Sequence, residues 1–375
     1  MSHYSIGAAD LQAVRITNSD GISTEIYIDK ANGKQVPQLD DPRFPWRERK
    51  KKTLGLADVY REGKLDKHAD RAMVCATWLE YLATADGSTK QLHHFNACQL
   101  RLCPLCSARK AKIMARRLAK IIERMQSDHP ATQLIFLTLT VANCTGDKLR
   151  ETLDLLTKAW NKLLKRRGVV RAVKGTFRAI EITRNRLHDT YHPHIHAILV
   201  VENSYFARSN GLYLTKDTWI DMWQQSLQVP YKPSIDIRST YVRGGSRGLK
   251  GGGKATEAAA AAVVEAAKYA TKDSEYISDK LFRPEAAKVV GVYTAALHKK
   301  RLTAMSGWVA EAAQQLALDL DAAGDLVHDE DGDGPLTEDT AALLMTYGFH
   351  FGVMDYTLED ARPNPNYQGG VADDD

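Results

Sequence analysis

The chain has 375 residues, of which 44% are hydrophobic and 26% charged, and its formal net charge is +5. This length and composition indicate a globular protein with two or three domains, each able to bury its own core. No apolar run approaches the roughly 18 to 20 residues that cross a bilayer. The first residues also lack the apolar region of a signal peptide, so we expect a cytoplasmic protein without a membrane segment.

Charge is distributed unevenly along the chain. Residues 301–375 carry two basic and sixteen acidic side chains, so the first 300 residues carry 49 of the 51 Lys and Arg and 30 of the 46 Asp and Glu. The body therefore has a net charge of +19 and the end of the chain a net charge of −14. Such a body can bind a polyanion such as nucleic acid, although a basic surface can also serve solubility alone.

Composition and pattern divide the chain into four predicted domains. Residues 1–45 contain two short alternating stretches and several turn formers, and we interpret them as an N-terminal arm. Residues 46–130 form a basic, Cys-rich region, residues 131–305 a regular core, and residues 306–375 an acidic C-terminal tail with little fixed structure.

The Cys-rich region begins with a basic run and a predicted helix, followed by a predicted strand at 72–81 and a basic helix at 107–126. The cations of the first helix can contact phosphates or only solvate one face.

Clustered cysteines in this region predict a structural zinc site. Cys98, Cys103 and Cys106 lie within nine residues, and Cys75 is the candidate fourth ligand, with His93 or His94 as substitutes. In a reducing compartment such spacing favours metal ligation over a disulfide framework. Buried free thiols are the alternative.

From residue 133 the hydrophobic period becomes regular. The predicted elements are, in order, a strand at 133–141, a helix at 147–166, strands at 176–183 and 193–201, a helix at 215–228 and a strand at 234–242. This βαββαβ order predicts an α+β fold with a split βαβ, ferredoxin-like antiparallel sheet, whose centre is formed by the first and third strands. A further helix at 255–272 follows a Gly-rich loop.

Three histidines alternate along one predicted strand of this core. Because side chains alternate in a strand, His192, His194 and His196 point from one face. Glu181 lies on the preceding strand, and the hairpin between the two strands brings it beside them. A site of imidazoles and a carboxylate with open positions suits Mg²⁺ or Mn²⁺ better than a closed structural zinc, and such an ion can polarise a phosphodiester. The alternative is the solvated side of an edge strand.

The helix at 255–272 places three reactive side chains together. Glu265, Tyr269 and Lys272 share one face by their spacing. A tyrosine with a pKa near 10 is a poor nucleophile at neutral pH, so it needs a neighbouring cation, which Lys272 and the metal would supply. Glu265 is a candidate base for a later hydrolysis. Tyr276 is the second candidate nucleophile, and a tyrosine used only for packing is the alternative.

Two nucleotide- or calcium-binding patterns are incomplete. The Gly-rich loop at 248–255 ends in Ala255 where a P-loop needs Ser or Thr, and we expect it only to touch DNA phosphates. The acidic stretch at 329–340 ends in Thr340 where a calcium loop needs a bidentate Glu. ATPase activity and calcium binding are therefore not expected.

Three motifs together resemble the plasmid rolling-circle replication initiators of the HUH endonuclease superfamily, over roughly residues 45–285. They are FLTLTVAN at 136–143, HPHIHAILVV at 192–201 and EAAKYATKDSEY at 265–276. The resemblance implies that His194 and His196 are the metal pair. It also implies that Tyr269 attacks one strand of a double-strand origin, giving a 5′-phosphotyrosine link and a 3′-hydroxyl primer. Glu265 then takes the place of a second tyrosine in the final cleavage, and strand transfer rejoins a circle.

The same resemblance implies that residues 131–305 are the endonuclease core and that origin DNA is the partner, in double- and single-stranded form. A host helicase and DNA polymerase are implied as well, and homo-oligomerisation on DNA stays open. A non-catalytic origin-binding protein or repressor is one alternative, which the intact histidines and tyrosine oppose. A relaxase or transposase is another, and relaxases commonly carry the tyrosine before the histidines.

Overall fold

The computed structural model describes residues 11–17, 23–239, 274, 276–277, 283–318 and 336–368. The chain forms two compact units. Unit 1 combines Met1–Cys106 with Gly324–Asp375, and unit 2 is Ser107–Ala323. The predicted helix at 255–272, with Glu265, Tyr269 and Lys272, lies outside the described residues.

The described secondary structure is mixed. The strands are β1 (Leu11–Thr17), β2 (Ser23–Asp29), β3 (Gln35–Val36), β4 (Trp78–Ala83), β5 (Lys90–Phe95), β6 (Thr132–Thr140), β7 (Val173–Asn185), β8 (Thr190–Glu202), β9 (Ile235–Ser239), β10 (Thr303–Gly307), β11 (Leu343–His350) and β12 (Asp355–Pro363). The helices are α1 (Trp46–Glu62), α2 (Asp66–Val74), α3 (Pro104–Asp128), α4 (Leu149–Leu164), α5 (Arg167–Ala172), α6 (Lys216–Leu227), α7 (Arg283–Leu297) and α8 (Trp308–Gln315).

Unit 2 contains a five-stranded antiparallel sheet in the order β10-β7-β8-β6-β9. Its elements β6, α4, β7, β8, α6 and β9 follow the predicted βαββαβ order. The first and third of these strands, β6 and β8, lie at the centre, as the split βαβ arrangement requires. The prediction of a mixed fold with an antiparallel sheet is therefore confirmed, and β10 adds an edge strand beside β7 that the sequence pattern did not indicate.

One face of this sheet packs against two helices. Phe177 and Ala179 of β7 and Ile198 of β8 share a face by alternation and belong to one buried cluster with residues of α3 and α8. In α3 the buried members recur at helical spacing, as Leu118, Ile121, Ile122 and Met125. Further along the same face lie Glu181, His194 and His196, so the core that fixes the strands also fixes these polar side chains.

The opposite face of the sheet receives α7. Tyr191 of β8 points away from the histidines, and its ring packs edge-on against Tyr293 of α7 with 5.4 Å between centroids. Gly146 lies in the turn just before α4, where a Cβ would come within 2.9 Å of the Val292 side chain. This close approach lets α7 pack against the segment that leads into α4.

Unit 1 is built from both ends of the chain. Its main sheet has the order β12-β11-β4-β5, and β11 pairs antiparallel with β4 from Leu343 opposite Ala83 to Gly348 opposite Trp78. A second sheet, β1-β2-β3, contains the alternating stretches of the N-terminal arm. Residues 343–363 are thus paired strands, and the description of 306–375 as one tail with little fixed structure is wrong for them.

A local prediction also differs from the structure. The sequence pattern predicts one strand at 72–81, but α2 continues to Val74 and β4 begins only at Trp78. Ala76 between them has a φ of 50°, which breaks both helix and strand. Cys75 therefore lies in a turn rather than on a strand. Among the described residues, we find no helix with the length and apolar character needed to cross a membrane.

Candidate functional site

The hairpin of β7 and β8 brings Glu181 and the histidines together, as predicted. Glu181 lies directly opposite His194, and Ala179 lies opposite His196. On the other side of β8, Thr138 of β6 pairs with His196. The polar side chains therefore stand on adjacent central strands rather than on an edge strand, and the solvated-edge interpretation does not apply.

Three side chains converge into a group that can hold a metal ion. One ligand atom from each of Glu181, His194 and His196 lies within 4.8 Å of the other two. The Nε2 atom of His196 is 3.0 Å from Oε2 of Glu181, and Nε2 of His194 is 3.5 Å from the same oxygen. Glu181 and His194 are only 8% and 9% exposed, so the group is partly shielded from water.

Hydrogen bonds on the outer nitrogens orient both imidazoles. Nδ1 of His194 is 3.0 Å from the backbone oxygen of His192, which can only accept, so Nδ1 donates. In neutral His194 the Nε2 lone pair is then free to ligate a metal. Nδ1 of His196 is 3.2 Å from Oγ1 of Thr138, a hydroxyl that can donate or accept, so this contact orients the ring without assigning its tautomer. His192 does not join the converging group.

The electrostatics of the group keep Glu181 ionised. Burial opposes ionisation of this carboxyl, but hydrogen bonds and charge from His194 and His196 outweigh burial and hold its pKa well below the usual range. The site thus presents an ionised carboxylate beside the two histidine rings. Three ligands leave coordination positions open, and this donor set fits a divalent cation.

A second group, in unit 1, consists of Cys75, Cys98, Cys103 and Cys106. Their Sγ atoms are 3.8 Å apart for Cys75 and Cys103, 3.5 Å for Cys75 and Cys106, and 3.6 Å for Cys98 and Cys106. These distances are too long for disulfides, whose sulfurs are about 2.05 Å apart. Four thiolates around a tetrahedral zinc, with bonds of about 2.3 Å, place their sulfurs about 3.8 Å apart. The four cysteines therefore fit a tetrahedral metal.

The surroundings of the four cysteines support an anionic centre. Backbone amides of Cys98 and Cys106 donate to Sγ of Cys75 and Cys103, at 3.4 and 3.5 Å. Lys50 is completely buried beside the group, and its ammonium donates to the backbone oxygens of Met73 and Cys75 at 2.7 and 2.6 Å. Burial lowers the pKa of Lys50 to about 8, although the neighbouring thiols oppose this shift.

The remaining sequence-predicted residues fall into two groups. His93 and His94 are not part of the cysteine cluster, because Cys75 takes the fourth place. Tyr276 is 2% exposed and packs on Tyr293 with 6.2 Å between ring centroids, which leaves its hydroxyl poorly placed to attack DNA. Glu265, Tyr269 and Lys272 lie outside the described residues, so their roles stay predictions.

Two supporting residues were missed from the sequence. Thr138 lies in FLTLTVAN, and its alternation with apolar neighbours places it on the histidine face once the strand pairing is known. Lys50 lies in a run of four basic residues, where nothing distinguishes it from its exposed neighbours Lys51 and Lys52. Only helical spacing from the buried Trp46 and Thr53 could have indicated that Lys50 points inward.

Comparison with known proteins identifies the family. The profile of the family described as Replication protein matches residues 89–356, which is more than half of the chain. The chain belongs to this replication protein family. The Glu181, His194 and His196 group lies within the match, as do three members of the four-cysteine group, whereas Cys75 precedes it. The resemblance to plasmid rolling-circle replication initiators is thereby confirmed.

Several curated proteins are similar to this chain along most of their length. A Protein rep of Streptococcus pneumoniae serotype 2 is 33% identical over 301 residues, covering 80% of this chain and 88% of the relative. A Protein rep of Lactiplantibacillus plantarum is 31% identical over 336 residues, covering 89% of this chain and 99% of the relative. One from Bacillus amyloliquefaciens is 29% identical over 323 residues. No solved structure matches this chain significantly.

Proposed function

We propose that this protein initiates plasmid rolling-circle replication by binding the double-strand origin and nicking one DNA strand. The observation that carries the proposal is the convergence of Glu181, His194 and His196 on paired strands in a chain of the replication protein family. A protein that only bound the origin would have no need for a partly buried carboxylate held between two oriented imidazoles. The net charge of +19 over the first 300 residues supports contact with the DNA backbone.

The converging group would hold Mg²⁺ or Mn²⁺ through Nε2 of both histidines and a carboxylate oxygen of Glu181. When bound, such an ion polarises the scissile phosphodiester and stabilises the charge that develops on it. The protein's own contribution is orientation. Thr138 and the backbone of His192 fix the rings, and the β7 and β8 pairing fixes the distance between the carboxylate and the imidazoles.

Tyr269 is the proposed nucleophile, on the strength of its motif. Its phenolic oxygen attacks the scissile phosphorus, the bond from phosphorus to the 3′ oxygen breaks, and the 3′-hydroxyl leaves to serve as a primer. The tyrosine becomes joined to the 5′ phosphate, so one phosphodiester replaces another and no nucleotide cofactor is needed. Lys272 would favour the phenolate, and Glu265 would serve as base in the final cleavage. A host polymerase would extend the primer while a host helicase separates the strands.

The four-cysteine group would hold structural Zn²⁺. Its sulfur spacing, burial and amide donors match a closed tetrahedral site, and it offers no open position for a substrate. The role proposed for this ion is to fix the turn at Cys75 and the segment from Cys98 to Cys106. The site therefore serves folding rather than the nicking reaction.

The test is an assay on supercoiled plasmid carrying the protein's origin, with Mn²⁺ or Mg²⁺. Wild type should give nicked circles and a covalent adduct between protein and DNA. Tyr269→Phe should bind the origin and form neither product, because it lacks the attacking oxygen. Tyr276→Phe is the matched control and should retain both, since Tyr276 is buried against Tyr293 and the proposal gives its hydroxyl no part in the attack.

Three results would contradict the proposal in different ways. A wild-type protein that binds the origin without nicking it, under either metal, would be a repressor or origin-binding protein. An adduct that persists in Tyr269→Phe would assign the nucleophile to another residue. Nicking confined to a transfer origin would identify a relaxase.

A further inference from the structure

The hairpin of β7 and β8, which carries Glu181 and the histidines, ends in a turn with an exposed apolar side chain. Leu187 lies in this turn, beyond the last strand pair of Asn185 with Thr190, and is 85% exposed. Among the described residues, the other exposed large apolar side chains are 43–60% exposed. A single surface leucine is common in proteins. Leu187 differs from an ordinary one in its place at the tip of this hairpin and in the way the tip is held.

Ion pairs at the base of the turn hold it against α7. The Arg184 side chain is 2% exposed and donates to Asp189 at 2.7 Å and to Glu285 of α7 at 2.9 Å. Lys288 of α7 donates to the other carboxylate oxygen of Asp189 at 2.6 Å. A shielded arginine with two carboxylate partners makes stronger contacts than an exposed surface ion pair. The turn is therefore a firm support for the side chain of Leu187.

Hydrogen bonds also fix the residues on either side of Leu187. Arg186 donates from Nη2 to the backbone oxygen of Ser274 at 2.7 Å. The backbone amide of His188 donates to Oδ1 of Asn185 at 3.2 Å. A contact residue on a fixed support loses less conformational entropy on binding than one on a mobile loop. Leu187 is thus presented in one position, ready to enter a binding partner.

The pairing register gives the distance from Leu187 to the Glu181, His194 and His196 group. Glu181 pairs with His194, and Asn185 lies four residues further along β7. Four residues of a strand span about 13 Å at 3.3 Å per residue, so Leu187 lies roughly 15–20 Å from the group. Because base pairs are about 3.4 Å apart, a DNA duplex along the hairpin would place Leu187 roughly four to six base pairs from the metal ligands.

The charges around the turn favour DNA as the molecule that Leu187 meets. Four cations outnumber two carboxylates among the side chains that hold the turn and begin α7, namely Arg184, Arg186, Arg283 and Lys288 against Asp189 and Glu285. Cations attract the phosphates of DNA, whereas an uncharged leucine among them suits the bases. Proteins that bend DNA insert apolar side chains, leucine included, between base steps.

We propose that Leu187 is a wedge that inserts between base pairs of the origin and opens the duplex beside the nicking site. This inference rests on the origin binding and nicking proposed above. Duplex DNA is stiff over the length of such a site, so a separated strand enters the partly buried metal group more easily. Leu187 is a positioning residue, because it contacts bases and takes no part in the chemical step.

The test compares Leu187→Ser, Leu187→Met and a control, Val170→Ser. Val170 is 60% exposed and lies in α5, just before the opposite end of β7. The substrates are the supercoiled origin plasmid and a single-stranded oligonucleotide that contains the nicking site, and nicking of each is measured with Mn²⁺. Strand opening is measured separately, with metal withheld, as the permanganate reactivity of unpaired thymines in the plasmid.

For Leu187→Ser we expect plasmid nicking to slow by about tenfold or more, because serine cannot offset the unstacking of a base step. Permanganate reactivity near the nicking site should fall in parallel. Nicking of the oligonucleotide should keep the wild-type rate, because that strand needs no opening. Leu187→Met keeps an apolar side chain of similar volume, so it should behave as wild type on both substrates, as should Val170→Ser.

Three results would overturn the wedge. Wild-type nicking and permanganate reactivity in Leu187→Ser would do so while leaving the proposed function intact. Equal slowing on plasmid and oligonucleotide would instead place the effect of Leu187 in the cleavage site itself. Unchanged permanganate reactivity together with lost self-association, measured by analytical ultracentrifugation, would make the turn a contact between copies of this chain.

The proposed function can fail separately from the wedge. A wild-type protein that makes plasmid thymines reactive but nicks neither substrate would overturn the proposed nicking and support the wedge. A wild-type protein that nicks both substrates without making any thymine reactive would overturn the wedge and support nicking. The two measurements therefore separate strand opening from the chemical step.

Discussion

Glu181 is the residue whose protonation most directly affects the metal group. Its pKa is lowered because hydrogen bonds from His194 and His196 outweigh the opposing effect of burial. A carboxyl whose pKa is lower in the folded state stabilises the fold above its unfolded pKa of about 4.3, and this contribution is lost as pH falls further.

We therefore expect metal-free wild type to lose more stability between about pH 5 and pH 3 than Glu181→Gln does. The amide cannot titrate, so its stability curve should be flatter in this window. Urea unfolding at a series of pH values, in the presence of a chelator, measures the difference. Parallel curves for the two proteins would show that Glu181 is not held ionised by the histidines.

Lys50 should strengthen the affinity of the four-cysteine group for Zn²⁺. Lys50→Met keeps the length and apolar stem of the side chain but removes the ammonium that holds the backbone oxygens of Met73 and Cys75. Because partners behind metal ligands typically contribute 10- to 100-fold in affinity, we expect Zn²⁺ binding to weaken by about tenfold or more. Competition with a chromophoric chelator measures this loss. Lys51→Met, at an exposed position of the same run, should bind Zn²⁺ as wild type does.

Glu181 and Lys50 differ in how far their positions in the structure could be predicted from the sequence. Glu181 and the histidines were recognisable because a strand and its hairpin partner fix side-chain direction with a period of two. Lys50 was not, since its burial depends on Cys75, Phe349 and Phe351, which are distant in sequence; the ammonium lies 5.5 and 5.8 Å from the two phenyl rings. The converging site was thus predictable from local pattern, and its support was not.

At the scale of elements, the βαββαβ part of unit 2 was predictable for the same reason. Each of its helices and strands carries a clear apolar period, and short connections make neighbours in sequence neighbours in space. The pairings of β10 with β7 and of β11 with β4 join segments more than a hundred residues apart. The local hydrophobic period cannot reveal such partners, so the sequence pattern predicts a tail where the structure has β11 and β12.

Gly307, the last residue of β10 before α8, indicates how closely the edge strand of the unit 2 sheet packs against its neighbour. It has a φ of 54°, and a Cβ there would overlap the backbone oxygen of Lys174. Gly211 has a similar φ of 64° but no atom within 4 Å of such a Cβ. Gly211→Ala should therefore cost only the left-handed strain of about 1 kcal/mol, whereas Gly307→Ala should cost more than about 2 kcal/mol.

Chemical unfolding of the two glycine variants measures these free energies directly. Both substitutions add a methyl group at positive φ, but Gly211 is left-handed with a ψ of 21° whereas Gly307 has a ψ of −142°. Their difference therefore combines the contact with Lys174 and the additional backbone strain at Gly307. Equal losses of stability would indicate that β10 can shift away from β7 without cost.

At the scale of the whole molecule, we expect that removing a metal from the four-cysteine group affects the stability of the two units unequally. All four lie in unit 1, while Glu181, His194 and His196 lie in unit 2. A strong zinc chelator, or Cys98→Ser, should therefore make unit 1 unfold at a lower temperature and become sensitive to proteases, because metal binding energy contributes to folding. Unit 2 should keep its own transition.

Cys144→Ser is the control for this experiment, because Cys144 is a free cysteine outside the cluster. It should leave both transitions unchanged. Calorimetry together with mass spectrometry of protease fragments assigns each transition to its unit. Simultaneous loss of both units on zinc removal would show that they do not unfold independently.

The assembly of unit 1 from both ends of the chain has a consequence for synthesis on the ribosome. Strand β4 has β5 as one neighbour and β11 as the other, and β11 begins roughly 260 residues after β4 ends. At a translation rate of about 5–20 residues per second, the second edge of β4 remains without β11 for on the order of ten to fifty seconds. During that time the nascent chain presents an open strand edge, which favours aggregation or chaperone binding. Unit 2, which is continuous in sequence, can be complete before unit 1 closes.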